Sequence, residues 1–452
     1  MMPITRRALL AAPALALAAD PKPNIVLIMA DDMGSADLSC YGATDIRTPH
    51  IDSIGKQGVR FTNAYCNAPE CTPSRTALLT GRYQQRVGGM ECALGVGNVG
   101  RYDEAIWLRE RNQMGLPFEE ITIARMLRQA GYDTACSGKW HLGYTRDFAP
   151  NGHGFDEYFG ILGGNADYFK HTEEDGTNVL YENAKPVERE GYLTDLIGRH
   201  AVGWLKKRTA KPFFLYVPFS SPHSPYQSHT VKEIPSGGYN RGSRKTYAEM
   251  VEAMDAQVGE ILAQLDRMGA AKNTWVIFLS DNGGTTVGSN KPYRGFKSSV
   301  WEGGIRTVCL MRWPGVFRPA SETAQVSLMF DITATMAAAA GVQPPKPLDG
   351  QNLIAQWKGE KPVKPRTVFW RYRRANNNRK AVLDGDWKLV NDNGAESLHH
   401  LGRDPREQNN LLAQEPAVAA GLRKKLAAWE QDVRAPRLKE FYATSGKTAR
   451  PD

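Results

Sequence analysis

Thr274-Trp275-Val276-Ile277-Phe278-Leu279, running straight into Ser280-Asp281-Asn282-Gly283-Gly284, holds the architecture in miniature. An unbroken apolar run of this length, rich in β-branched and aromatic residues, is a strand buried on both faces. The polar and glycine residues that end it are turn chemistry. Ahead of it, Tyr247, Met250, Val251, Met254, Val258, Ile261, Leu262 and Leu265 recur at helical spacing, and Gly269 stops the helix. The same alternation repeats outward along the chain. Asn24 to Met29 and Pro212 to Val217 read as further buried strands, Tyr132 to Cys136 as a shorter one, and Ile121 to Ala130 as a helix stopped by Gly131. Strands alternating with helices predict an α/β fold, a large mixed, mostly parallel sheet flanked by helices.

The pattern changes beyond Ala340. Gln343-Pro344-Pro345-Lys346-Pro347 is a stiff linker. Thr367 to Arg371 and Trp387 to Val390 read as short strands between polar turns, and Pro416 to Val433 as a terminal helix with proline in its first turn. Residues 20–354 are therefore expected to form the main α/β domain, and residues 355–452 a smaller C-terminal subdomain with an antiparallel sheet. Residues 1–19 read as a signal peptide. Thr5-Arg6-Arg7 precedes an apolar stretch, Ala8 to Ala19, that is too short to span a bilayer and carries small residues at Ala16, Ala18 and Ala19 for a signal peptidase. The paired arginines fit the twin-arginine route, so the expected location is periplasmic or secreted. No later stretch is apolar enough to span a membrane.

The chain has 452 residues, 41% hydrophobic and 23% charged, which excludes a disordered protein. A net charge of +9 suits an anionic partner. Nucleic acid is not that partner, because no basic run, zinc finger or recognition-helix pattern is present. Six cysteines in an exported chain hint at disulfides whose pairing is open, and the lack of any Cys-x-x-Cys argues against structural zinc.

The residues that follow each strand point to one place. Asp31-Asp32, Gly138-Lys139-Trp140-His141, Ser220-Ser221-Pro222-His223 and Asp281-Asn282 each end a core strand. Open α/β sheets bind ligands beyond the carboxyl ends of their strands, so four polar ends predict one shared site. Asp31, Asp32, Asp281 and Asn282 are hard oxygen donors that suit calcium or magnesium, though each run is also a good turn. In Cys71-Thr72-Pro73-Ser74-Arg75, Pro73 suits a first helical turn with Thr72 as its N-cap. Cys71 then sits at a helix N-terminus, where an anion is favoured; a lone cysteine there is otherwise an ordinary buried one. Lys139, His141, His223 and Lys297 can bind and protonate an oxyanion if they converge. The residues by themselves lead to a metal-dependent hydrolase of an anionic ester.

These motifs resemble the formylglycine-dependent (type I) sulfatase family of the alkaline-phosphatase-like superfamily. Cys71 to Arg82 is similar to the family's signature around its modified cysteine, and Gly138-Lys139-Trp140-His141-Leu142-Gly143 to its second signature. Pro222-His223-Ser224-Pro225, Ser280 to Gly283, Gly295-Phe296-Lys297 and Trp301 to Arg306 follow in order, and Leu398 to Leu411 resembles the stretch near the end of many sulfatases. The resemblance implies a sulfuric ester hydrolase acting on a sulfated carbohydrate or another sulfate ester. It implies that a formylglycine-generating maturation enzyme oxidises Cys71, whose hydrated aldehyde attacks sulfur. It also implies one calcium ion held by Asp31, Asp32, Asp281 and Asn282 together with the modified Cys71. Arg75 and Lys139 would then orient the formylglycine, His223 and Lys297 would face the leaving oxygen with His223 as the acid, and His141 would deprotonate the second hydroxyl.

Two other readings stay open on sequence. One is a phosphate, phosphodiester or phosphonate hydrolase of the same superfamily; the other is a non-catalytic module that binds sulfated glycans. Tyr83 to Pro117, and Asn165 to His171 with Asp167, Tyr168 and His171, are either pocket walls or surface loops. The particular sugar, exo or endo action and the oligomeric state are not legible.

Overall fold

The protein is described here from a computed structural model covering residues 22–444. The signal peptide read at residues 1–19 lies outside them. Ten strands form the main sheet, in the order Ser321–Thr323, Val59–Phe61, Cys309–Arg312, Thr274–Ser280, Asn24–Ala30, Phe213–Pro218, Asp133–Ser137, Glu157–Ile161, Leu180–Glu182 and Lys185–Pro186. The four strands expected to end in polar residues are contiguous and parallel at its centre. Register across them is continuous: Ile28 faces Val217 on one side and Phe278 on the other, and Ala30 faces Ser280.

Alternation along Asn24–Ala30 explains the unbroken apolar run. Ile25, Leu27 and Met29 enter one core, while Val26, Ile28 and Ala30 enter a second on the opposite face. The second core is covered by Leu193–Lys206 and Arg244–Arg267, the latter presenting the predicted helical stripe. Ser243 caps that helix, its hydroxyl accepting from the Thr246 amide. The first core takes Cys71–Thr80, Ile123–Gln129 and Met329–Ala339.

Thr367–Arg374, Asn377–Asp384, Trp387–Asp392 and Ala395–His400 form a separate four-stranded antiparallel sheet, and Pro416–Asp432 lies against it. Its Trp370 is fully buried and donates to the Cys66 carbonyl (2.8 Å), so this sheet shares the first core. All six cysteines are free, so the hint of disulfides is not realised. Five are buried, with Cys40 partly exposed. Among the described residues no helix is long and apolar enough to cross a membrane.

Candidate active site

The site is built at the carboxyl edge of the four central strands. Gly138 shows why the chain can turn there: with φ of 139°, a Cβ would lie 1.9 Å from the Pro218 carbonyl oxygen, so only glycine lets the strands approach. Three non-glycine residues around the site, Asp32, His141 and Ser298, hold left-handed φ values of 64°, 57° and 69°. Such backbone is disfavoured and persists where surrounding structure fixes it, most often at functional sites.

The Cys71 helix starts earlier than Thr72-Pro73 suggested. It runs Cys71–Thr80, and Glu70 is its N-cap residue. Thr72, no longer a cap, donates through Oγ1 to the His141 carbonyl (2.9 Å) and accepts from the Leu94 amide (3.1 Å). This ties the helix to the Lys139–His141 segment. The Cys71 thiol is buried, 3.3 Å from Asp31 Oδ1 and 3.6 Å from Lys297 Nζ. Burial, with the Asp31 charge, pushes its pKa well above that of an ordinary thiol, and Lys139 and Lys297 do not overcome this.

The charged residues pair across strand ends. Lys139 Nζ donates to Asp31 Oδ2 (2.5 Å), and Lys297 Nζ to Asp32 Oδ2 (2.7 Å) and His223 Nε2 (3.2 Å). Arg75 makes two bonds to Asp281 Oδ2 (2.8 and 3.1 Å) and one to the Lys139 carbonyl (2.9 Å). Asp281 Oδ1 accepts from the Asp32 amide (3.1 Å), and Asn282 Nδ2 donates to Asp32 Oδ1 (2.8 Å). Burial works against the Asp32 carboxylate, but Lys297, His223 and Lys139 hold its pKa well below the usual range. Asp281 is pushed up to about 6, by burial and then by the Asp31 charge, despite Arg75.

The two histidines are arranged differently. His141 Nε2 faces the Leu94 carbonyl (3.1 Å), so it carries the proton; Nδ1 is buried, has no partner among the described residues and is able to accept one. Burial, then Lys139, keeps this imidazole neutral. His223 Nδ1 donates to the Ser224 carbonyl (2.6 Å), leaving Nε2 to accept from Lys297. Burial and the Lys297 charge push His223 down to about 3.

Every candidate catalytic and metal-ligating residue therefore lies in one connected cluster. Ligand atoms of Asp31, Asp32, Cys71 and His223 lie within 4.8 Å of one another. Asp281 and Asn282 join through hydrogen bonds, while His223 enters the group although the sequence placed it only at the leaving oxygen. The oxygen-rich set fits a hard divalent cation, and Asn282 Oδ1 is a buried acceptor with no donor among the described residues. Cationic side chains and hard oxygen donors converging in one buried cluster suit the binding of a tetrahedral anion.

Sequence reasoning missed the surrounding supports. Glu70 accepts from Ser298 Oγ (2.8 Å), Tyr372 Oη (2.9 Å), Arg374 (2.8 Å) and the Ala93 amide (2.7 Å), fixing the residues beside Cys71 and Lys297. Glu70 does directly precede the Cys71 motif, and that adjacency is the one sequence signal that could have drawn it in. Tyr168, offered as a pocket wall, is buried; its hydroxyl lies 2.8 Å from the Ser220 carbonyl and 2.9 Å from that of His223, so it buttresses the His223 turn. Asp167 accepts from the Phe169 and Lys170 amides, and His171 is held by the Gly191 carbonyl.

Comparison with known proteins gives a consistent result. A family model described as Sulfatase matches residues 23–342, and one described as N-sulphoglucosamine sulphohydrolase, C-terminal, matches residues 295–432. Steryl-sulfatase of Mus musculus is 31% identical over 436 residues, covering 76% of this chain and 68% of that protein. N-acetylgalactosamine-6-sulfatase of Rattus norvegicus is 33% identical over 363 residues, covering 75% and 66%. Among solved structures, Ps i-CgsB, also solved in complex with k-i-k-neocarrahexaose, is 30% identical with a TM-score of 0.82 over 95% of this chain and 98% of that one. The phosphonate monoester hydrolase of Agrobacterium radiobacter, 21% identical with a TM-score of 0.64 over 91% and 96%, shares the fold.

Proposed function

The chain belongs to the sulfatase family and is a sulfuric ester hydrolase, and from that premise we propose that it removes sulfate from a sulfated carbohydrate through a formylglycine made from Cys71, with calcium bound. The observation that carries this reading is the Cys71 thiol, buried at a helix N-terminus between Asp31 and Lys297. The sulfur atom stands for the hydroxyl oxygens of the converted residue. The carbohydrate assignment rests on likeness to Ps i-CgsB and to N-acetylgalactosamine-6-sulfatase.

Oxidised and hydrated, residue 71 supplies two geminal hydroxyls, one to attack sulfur and one whose deprotonation expels sulfate. A calcium ion held by Asp31, Asp32, Asp281 and Asn282, with residue 71, would neutralise sulfate oxygens and acidify the attacking hydroxyl. Arg75, locked on Asp281 and the Lys139 carbonyl, and Lys139 itself hold residue 71 in line. His141 Nδ1 takes the proton from the second hydroxyl. On the leaving side the Lys297 ammonium donates a hydrogen bond to neutral His223 Nε2 in the ligand-free arrangement. An entering sulfate draws Lys297 to itself, and the proton reaches the leaving oxygen from this pair, with His223 as the final donor.

The direct test is product release. Chain co-expressed with a formylglycine-generating enzyme, in calcium, should release sulfate from aryl sulfates and from members of a sulfated-saccharide panel, and chelation should abolish turnover reversibly. Equal or faster phosphate release from matched phosphate esters would instead favour the phosphorus-ester reading.

The acid assignment gives a second expectation. His223→Ala should lower kcat roughly 10²- to 10⁴-fold on sugar sulfates, whose alkoxide needs a proton, and much less on nitrophenyl sulfate. Equal losses on both substrates would remove His223 from that role.

A further inference from the structure

Beyond the catalytic cluster, the loop carrying Leu94 and the hairpin at the end of the Thr367–Arg374 strand meet at the rim. Ala375, with φ of 49°, donates its amide to the Arg101 carbonyl (2.6 Å). This stitches the C-terminal sheet to a small loop closed by reciprocal Gly95 and Val99 bonds (3.0 and 3.1 Å). The same loop reaches the catalytic centre twice, through the Leu94 carbonyl on His141 and the Leu94 amide on Thr72. Its outer surface exposes Val96 and Val99.

Two guanidinium groups stand at this junction. Arg374 gives one donor to buried Glu70 (2.8 Å) while its side chain stays 40% exposed. Glu70, itself held by three further donors, fixes Arg374 in place while part of that side chain stays exposed. The Arg101 guanidinium lies over Gly95: a Cβ there would be 3.3 Å from NH2 and 3.4 Å from Nε. Arg101 is half-buried and makes no ion pair among the described residues. The Ala375 to Arg101 backbone bond sets the two arginines on adjoining segments.

A half-buried guanidinium without a carboxylate, beside a second one anchored next to residue 71, is a receptor for an external anion. We propose that Arg101 and Arg374 form an anion subsite at the rim of the catalytic centre, which takes a second sulfate ester on the saccharide substrate. The proposal rests on the sulfatase reading and deepens it: the substrate class becomes a multiply sulfated saccharide. The exposed faces of Val96 and Val99 provide apolar surface for the sugar between the two anions.

Binding to the full-length, calcium-loaded Cys71→Ala protein tests this without turnover. The probes are three pairs of saccharides, built on galactosamine, glucosamine and galactose, each pair differing by one sulfate. At least one doubly sulfated member should bind roughly tenfold tighter than its partner, the scale of one added charge-assisted contact. Arg101→Ala should bring that ratio towards one, Arg374→Gln should lower it, and Arg101→Lys should keep part of it. High salt should erode the ratio in the parent and do little in Arg101→Ala. The proposal is overturned if no pair gains from its second sulfate, or if the gain survives both arginine replacements. Sulfate release from an aryl sulfate by the Cys71 form judges the sulfatase reading separately, so failure of one is not mistaken for failure of the other.

Discussion

Cys71→Ser should convert the protein from a catalyst into a reagent. With residue 71 verified as serine by mass spectrometry, it should take up one sulfo group and release none, while Cys71→Ala takes up nothing. Steady-state turnover should fall by roughly 10⁴-fold or more in both, the scale seen when a nucleophile is removed. The reason lies in the environment of the thiol. It stands 3.6 Å from Lys297 Nζ, which alone would favour a thiolate, yet burial and Asp31 at 3.3 Å win and keep it protonated. An unconverted cysteine here is therefore a poor nucleophile at neutral pH. A serine hydroxyl at this position, with Arg75 and Lys139 still holding residue 71 and with calcium bound to acidify it and neutralise the sulfate oxygens, can attack once. It then lacks a second hydroxyl, so the His141 Nδ1 base has no proton to remove and the ester bond persists. Repeated turnover by either variant would sink the formylglycine mechanism, because both lack the carbon oxidation level it needs.

The parts of this arrangement legible in the sequence are those written in contiguous residues. The apolar runs ending at Ala30, Cys136, Val217 and Leu279 are strands because both faces of the sheet are buried, and their polar successors share an edge because parallel strands end on the same side. The start of the Cys71 helix was misplaced for a tertiary reason. Thr72 looks like a cap next to Pro73, but its hydroxyl is engaged by His141 and Leu94, far along the chain. Ser298, Tyr372 and Arg374 were invisible for the same reason, since the partners of Glu70 lie between 23 and 304 residues away, and only Glu70 itself adjoins a motif. Periodicity reports which face is buried and is silent on which polar atoms meet. The even cysteine count misled because the fold pairs none of the six thiols with another. Tyr168 misled because a polar tip on an aromatic ring reads equally as a sugar contact or as a buried hydroxyl with a backbone partner.

Lys388→Met should be among the most destabilising single replacements in the chain. Lys388 comes from the C-terminal sheet and is fully buried, its ammonium 2.8 Å from Glu302 and 2.8 Å from Glu407. Glu302 begins the short helix after the Lys297 loop and also accepts from Tyr65 (2.8 Å) and Arg306 (2.7 Å); its own amide is capped by Glu407 (2.7 Å). Removing the ammonium leaves two buried carboxylates facing each other, a loss of about 3–5 kcal/mol for breaking a buried charge group. Its pH signature separates this cause from lost packing. In the parent, burial opposes the charged Glu302, but Lys388 and Arg306 bring it down to about 2. Its contribution is therefore present above the unfolded value near 4.5 and is lost as pH falls towards 2. Glu407 works in the opposite sense, since burial and the Glu302 charge raise it. Without Lys388 the Glu407 carboxyl should rise further and Glu302 should lose part of its lowering, so the variant should gain stability relative to the parent on mild acidification. Adding Glu407→Gln to Lys388→Met should recover part of the loss at neutral pH. Urea midpoints across pH measure all three effects; a midpoint for Lys388→Met equal to the parent's at neutral pH would show that the triad does not hold the C-terminal sheet to the Lys297 loop.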